Sequence, residues 1–184
     1  MRGWTGTWMH IIVCYALVRL LRPNLVVETG VMEGNSSRYL LRAMQRNDCG
    51  FLHSIDLPNG DYDDGKFRQR NPLVTGEVGW RVPANLRDRW NLHLGDAREL
   101  LPTLLTRLGT VDMFIHDSLH SYDHMLFEYS TAWPHLREGG ILLSDDVDWN
   151  IAFSEFATKQ RCRTTMFNYR VGAIRKPESS PFAK

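Results

Sequence analysis

Apolar residues follow two rhythms along this chain. Short apolar runs each stop at an acid. Leu25-Val26-Val27 ends on Glu28, and Phe51-Leu52-His53-Ser54-Ile55 ends on Asp56. Asn91-Leu92-His93-Leu94-Gly95 ends on Asp96, Val111-Asp112-Met113-Phe114-Ile115-His116 on Asp117, and Ile141-Leu142-Leu143-Ser144 on Asp145-Asp146. Runs of this length predict buried strands. Between them, apolar residues recur three and four apart, which predicts helices. These helices cover Arg38 to Met44, Glu99 to Leu108, Tyr122 to Leu136 and Trp149 to Thr158. Met125, Leu126, Tyr129, Trp133 and Leu136 form a core stripe, and Gly139-Gly140 is expected to end that element. Strand and helix in alternation predict a parallel sheet covered on both faces. The tail, Arg163 to Phe167 and Tyr169 to Arg175, alternates as a closing antiparallel hairpin does. The expectation is a Rossmann-like α/β fold, one domain over residues 1–184, with a mostly parallel seven-stranded sheet.

Two segments lie outside this rhythm. Trp8 to Val18 is apolar but shorter than the roughly 20 residues a bilayer requires, and no small-residue cleavage site follows it. It reads as a buried helix, within residues 1–22, stopped by Pro23. Residues 57–89 are polar and rich in turn residues, with a short helix expected before Trp90. A long connection in an α/β unit reads as a lid or a substrate wall. Pro177 to Lys184 reads as a frayed end.

Composition narrows the class. At 184 residues, 43% hydrophobic and 23% charged, the chain can bury one sizeable core. A net charge of +1 gives no bulk electrostatic case for nucleic acid or a membrane surface. Cys14, Cys49 and Cys162 are odd in number and widely spaced, so neither a disulfide framework nor a zinc site is expected. A reducing cytoplasm is the default location. A homodimer is compatible with the sequence.

The chemistry centres on Leu25 to Ser37, a strand, a glycine turn and the start of a helix. Gly30 and Gly34 allow a sharp turn and close ligand approach, and Ser36 and Ser37 are good helix caps. The spacing is G-x-x-x-G, so the dinucleotide fingerprint G-x-G-x-x-G is absent and a nicotinamide-dependent oxidoreductase is disfavoured. In open parallel sheets the ligand lies outside the carboxyl ends of the strands. Glu28, Asp56, Asp96, Asp117, Asp145 and Asp146 all fall there, and such a ring of charge needs cations or hydrogen-bond donors. Glu28, Asp56 and Asp96 belong to the half expected to hold a nucleoside, with Asp56 placed for a ribose hydroxyl pair. Asp117, Asp145 and Asp146 suit a hard cation such as Mg2+. His120, three residues past Asp117, is placed to accept a hydroxyl proton, and His116 and His124 flank it.

The stretches Glu28-Thr29-Gly30 to Ser36, Ile115-His116-Asp117-Ser118-Leu119-His120-Ser121-Tyr122, and Leu136-Arg137-Glu138-Gly139-Gly140 to Asp145-Asp146-Val147 resemble the class I S-adenosylmethionine-dependent methyltransferases. Within these the chain is similar to the metal-dependent O-methyltransferases, the group of macrolide-sugar O-methyltransferases and cephalosporin-hydroxylase-like proteins. Catechol O-methyltransferase is a more distant likeness. The resemblance implies S-adenosylmethionine bound by Glu28, Gly30, Gly34, Ser36, Asp56, Asp96 and Ala97. It implies Mg2+ or another divalent cation on Asp117, Asp145 and Asp146, His120 as general base, and a small-molecule hydroxyl acceptor such as a sugar, polyol or phenol. Many relatives carry an acid where Leu119 stands here, and larger relatives have more N-terminal structure over the substrate. A non-catalytic cofactor-binding protein on the same fold is the alternative, since fold alone does not fix function.

Overall fold

The computed structural model describes residues 4–58, 61–63, 68–70 and 77–178. The chain runs through α1 (Trp4–Leu21), β1 (Leu25–Thr29), α2 (Asn35–Asn47), β2 (Phe51–Asp56), β3 (Asp61–Asp63) and β4 (Arg68–Arg70). It continues through β5 (Trp90–Leu94), α3 (Ala97–Leu108), β6 (Val111–His116), α4 (Tyr122–Ala132), β7 (Leu136–Ser144), α5 (Ala152–Lys159), β8 (Thr164–Met166) and β9 (Gly172–Arg175). Seven strands form one sheet in the order β5-β2-β1-β6-β7-β9-β8, and β3 and β4 pair separately as an antiparallel hairpin. The first five are parallel, and β9 is antiparallel to both β7 and β8. The chain leaves β1 toward β2 on one side and returns to β6 on the other. That reversal opens a crevice at the carboxyl ends of these strands.

Alternation along each strand sends successive side chains to opposite layers. Val26, Leu52, Met113 and Ile115 pack under α1 and α2 with Val13, Cys14, Val18, Leu40, Leu41 and Met44. Val27, Ile55 and Phe114 pack under α3, α4 and α5 with Leu101, Leu105, Met125, Tyr129, Phe153 and Phe156. Both faces are therefore buried, and the central strands read as continuous apolar runs.

Three elements differ from the sequence expectation. The helix after Ser121 stops at Ala132, because Pro134 has no N–H to continue it, and a single 3-10 turn spans Trp133–His135. The next strand therefore begins at Leu136 rather than Ile141. Gly139 and Gly140 lie inside that strand, where the Gly139 N–H donates to the Lys176 carbonyl. The following helix starts at Ala152, which leaves Trp149 exposed in the preceding loop. The connection over residues 57–89 lies partly outside the described residues, as does the tail from residue 179. Its visible C-terminal part is a 3-10 helix over Ala84–Arg89. No helix among the described residues is long and apolar enough to cross a membrane.

Candidate active site

The glycine turn after β1 is held from both sides. Gly30 has φ +86°, and a Cβ there would lie 1.9 Å from the Asp117 carbonyl oxygen. Only glycine permits that backbone contact between the β1 and β6 loops. Glu28 is fully buried and accepts hydrogen bonds from the hydroxyls of Ser36 (2.6 Å), Ser37 (2.6 Å) and Ser54 (2.8 Å). Burial raises its pKa and the three serine bonds oppose that rise. Asp56 accepts from the backbone N–H groups of Val31 (2.9 Å), Met32 and Leu57 (2.7 Å), clasping the same turn from β2.

A cleft of about 120 Å3 lies above this turn. Gly30, Asp56, Asp96 and Ala97 line it together with Ser118 and His124. Four of the expected cofactor residues thus converge from β1, β2 and β5. The other three, Glu28, Gly34 and Ser36, do not line that cleft and make contacts within the protein. Both Glu28 oxygens and the Ser36 hydroxyl serve each other inside the turn. Gly34, at φ +88°, packs against the 77–82 segment, where a Cβ would meet Val82 Cγ2 at 2.8 Å. Asp96 also caps α3, accepting from the Arg98 N–H at 2.7 Å.

The second cluster lies across the crevice. The expectation that Asp117, Asp145 and Asp146 form a three-acid group needs correction. Among the described residues, the side chains whose ligand atoms all lie within 4.8 Å of one another are Asp117, Asp145 and His10. Arg170 takes Asp146 instead, its Nε and Nη2 both donating to Asp146 Oδ1. A guanidinium satisfies a carboxylate oxygen that was expected to await a cation. Withdrawal from water and the neighbouring Asp145 and Asp146 raise the Asp117 pKa well above the usual carboxylate range. Burial, then Asp146, pushes Asp145 up to about 7. These shifts mark a site crowded with negative charge.

His120 lies beside this cluster. Its Nε2 is 3.5 Å from Asp146 Oδ2 and 3.8 Å from Asp117 Oδ1. Burial, then His116, lowers its pKa well below the ordinary histidine value, while Glu128 acts in the opposite sense. Trp149 covers it from outside, with ring centroids 5.3 Å apart.

Three residues of this neighbourhood escape a reading of the sequence by motif. Glu128, buried on α4, accepts from Thr29 Oγ1 (2.6 Å), His116 Nδ1 (2.6 Å), Ser118 Oγ (2.8 Å) and His124 Nε2 (2.9 Å). Burial alone would raise its pKa, but His116 and His124 together hold it below the usual range. This network ties α4 to the ends of β1 and β6. Its sequence signal is the histidine four residues before Glu128 on one helix face. The signal for His10 is its place four residues before Cys14 on the apolar stripe of α1. Arg170 carries no local signal.

Comparison with known proteins follows the same outline. A family model described as a methyltransferase domain matches residues 27–147. The 8-demethyl-8-alpha-L-rhamnosyl tetracenomycin-C 2'-O-methyltransferase of Streptomyces olivaceus is 30% identical over 134 residues. That alignment covers 68% of this chain but 29% of the relative's length. Among solved structures, the O-methyltransferase NovP superposes with a TM-score of 0.70 at 20% identity, over 94% of this chain and 80% of that one. A calicheamicin methyltransferase gives 0.67 at 18%, over 97% and 81%. An SAH-bound Podospora anserina methyltransferase gives 0.62 at 18%, over 94% and 78%. At these identities the structural neighbours establish the fold.

Proposed function

This chain belongs to the methyltransferase domain family, and from that premise we propose that it methylates a hydroxyl oxygen of a small molecule, with S-adenosylmethionine as donor and Mg2+ or another divalent cation assisting. One observation carries this reading. The cleft over the glycine turn adjoins the cluster of carboxylates and histidines, so a donor and a hydroxyl can be held side by side. The acceptor class is a sugar, polyol or phenol. The relatives' names favour a sugar hydroxyl, since one is a rhamnosyl 2'-O-methyltransferase and another a TDP-rhamnose 3'-O-methyltransferase.

Each residue then has a task. Asp56 retains acceptor capacity beyond its backbone bonds and receives the ribose hydroxyls. Asp117 and Asp145 would hold the cation, with Asp146 Oδ2 and His10 beside them. A cation bound there would polarise the acceptor hydroxyl and lower its pKa. His120, whose lowered pKa favours the neutral ring, takes the proton at Nε2. Trp149, 59% exposed, offers an apolar face beside that base for the acceptor. Residues 77–82 are tied to the glycine turn, since Gly79 N–H donates to the Met32 carbonyl and Arg81 N–H to the Glu33 carbonyl, which supports the substrate-wall reading for this part of the connection. Burial raises the pKa of Cys14 and of Cys162, so neither is an activated thiolate and direct transfer to oxygen is favoured.

The test is an acceptor screen with S-adenosylmethionine and Mg2+, reading S-adenosylhomocysteine by mass spectrometry. Acceptor-dependent release is expected from a sugar, polyol or phenol. Cofactor binding by calorimetry without release from any acceptor would favour the non-catalytic alternative.

A further inference from the structure

We propose that His10 is a cation ligand of this site, and that the set it completes with Asp117 and Asp145 prefers a first-row transition ion such as manganese to magnesium. The proposal rests on the reading of Asp117 and Asp145 as cation ligands, and it assigns a further ligand and a metal class.

The argument begins on α1. His10 lies one helical turn before Cys14, on the stripe that packs against the sheet, and only 2% of it is exposed. Its Nε2 has Cys14 Sγ at 3.5 Å and Asp117 Oδ2 at 3.6 Å. Its Nδ1 has no hydrogen-bond partner among the described residues. That nitrogen faces Asp145 Oδ1 at 4.0 Å, and this oxygen is also buried without a partner. With the proton on Nε2, held by the Cys14 sulfur, Nδ1 presents a lone pair. A lone pair and a carboxylate oxygen then face each other with no donor between them.

Leaving two such acceptors buried is costly, and a cation between them would satisfy both. Imidazole nitrogen and carboxylate oxygen each lie about 2.0–2.2 Å from a bound divalent ion. A pair 4.0 Å apart is therefore within the span of one ion. Asp117 belongs to the same group, in which one ligand atom from each of His10, Asp117 and Asp145 lies within 4.8 Å of the others. Asp146 Oδ1, by contrast, is already occupied by Arg170. The result is one imidazole with two carboxylates, where an all-carboxylate set was expected. Magnesium takes oxygen ligands, whereas a neutral nitrogen shifts preference toward first-row transition ions.

The test uses the full chain with Mn2+ alone, without cofactor or acceptor. Spin-echo spectroscopy of bound Mn2+ should register coupling to an imidazole 14N. The coupling should vanish in His10→Gln and persist in His120→Gln. Mn2+ affinity should fall about tenfold or more in His10→Gln, with a smaller loss for Mg2+. Mn2+ bound without 14N coupling, and released by Asp117→Asn, would leave the cation reading intact and overturn the role of His10. Coupling lost only in His120→Gln would assign the nitrogen to His120 instead. No Mn2+ binding by the wild-type chain would end both readings. If circular dichroism reports His10→Gln as unfolded, the wild type and His120→Gln decide alone: coupling in both supports His10, and its absence from either overturns it.

Discussion

The crevice has two halves built from the same kind of residue in opposite states. Beside β1, β2 and β5 the carboxylates are satisfied by the protein itself. Glu28 has three serine hydroxyls, Asp56 has three backbone N–H groups, and Asp96 has the first turn of α3. Beside β6 and β7, Asp117 and Asp145 face histidines and each other, and Asp145 Oδ1 and His10 Nδ1 have no partner among the described residues. Acids on the first side build the turn. On the second side Asp117 and Asp145 are crowded, and their raised pKa values report the cost of holding negative charge there, which is the condition that a bound cation relieves. Identical residue types at equivalent strand ends are thus paired by protein donors in one half and left facing histidines and one another in the other.

The largest test of this division is removal of the metal. Chelation, or Asp117→Asn, should lower turnover by about a thousandfold or more, as loss of several kcal/mol of transition-state stabilisation requires. Cofactor affinity measured by calorimetry should stay within about twofold. A parallel loss of cofactor binding would merge the two halves. The converse substitution is Glu28→Ala, which strands three buried hydroxyls and opens a cavity. It should destabilise the fold by about 3 kcal/mol, lowering Tm by about 6–12 °C. An unchanged Tm would mean that the serine cage is not structural.

Within the cation half, His120→Ala should reduce kcat by about a hundredfold or more, the scale of a general base, with cofactor affinity unchanged. Recovery of rate as pH rises would accord with hydroxide taking the proton. Within the cofactor half, Asp56→Ala should weaken S-adenosylmethionine binding by about tenfold to a hundredfold, from loss of a charge-assisted hydrogen bond worth about 1.5–3 kcal/mol. An unchanged dissociation constant would reduce Asp56 to a clasp on the turn.

The smallest effect concerns pH. His53 and His93, stacked between β2 and β5 with Nδ1 and Nε2 3.1 Å apart, both have lowered pKa values. For His53 the causes are burial, then His93 and Arg107, and for His93 they are burial and Arg107. The unfolded chain therefore binds more protons in the window below about pH 6.5, so this pair loses stability as pH falls through its folded pKa values. Tm measured from pH 7.5 to 5 should fall less steeply in His53→Asn than in the wild type. Equal slopes would assign the dependence to other groups.

Much of this molecule was legible along the chain. The five acid-ended runs became β1, β2, β5, β6 and β7, and His120 stands beside Asp117 because a short loop after a strand leaves little freedom. Gly30 was legible as a turn, but its tightest contact is the Asp117 backbone rather than open space for a ligand. Helix ends were less legible where one residue competed with a periodic pattern, as Pro134 did with the stripe running on to Leu136.

Periods of two and of three to four residues are properties of neighbouring positions, so the sequence by itself determined the strands, the helices and the acids at the crevice. The partners of those acids depend on chain segments far apart. His10 reaches Asp117 and Asp145 only because α1 packs beside α2 across the sheet, and Arg170 reaches Asp146 only because the chain returns through β9 beside β7. A carboxylate's role is set by whichever donor packing brings within hydrogen-bond distance, and that distance is fixed by the tertiary structure alone.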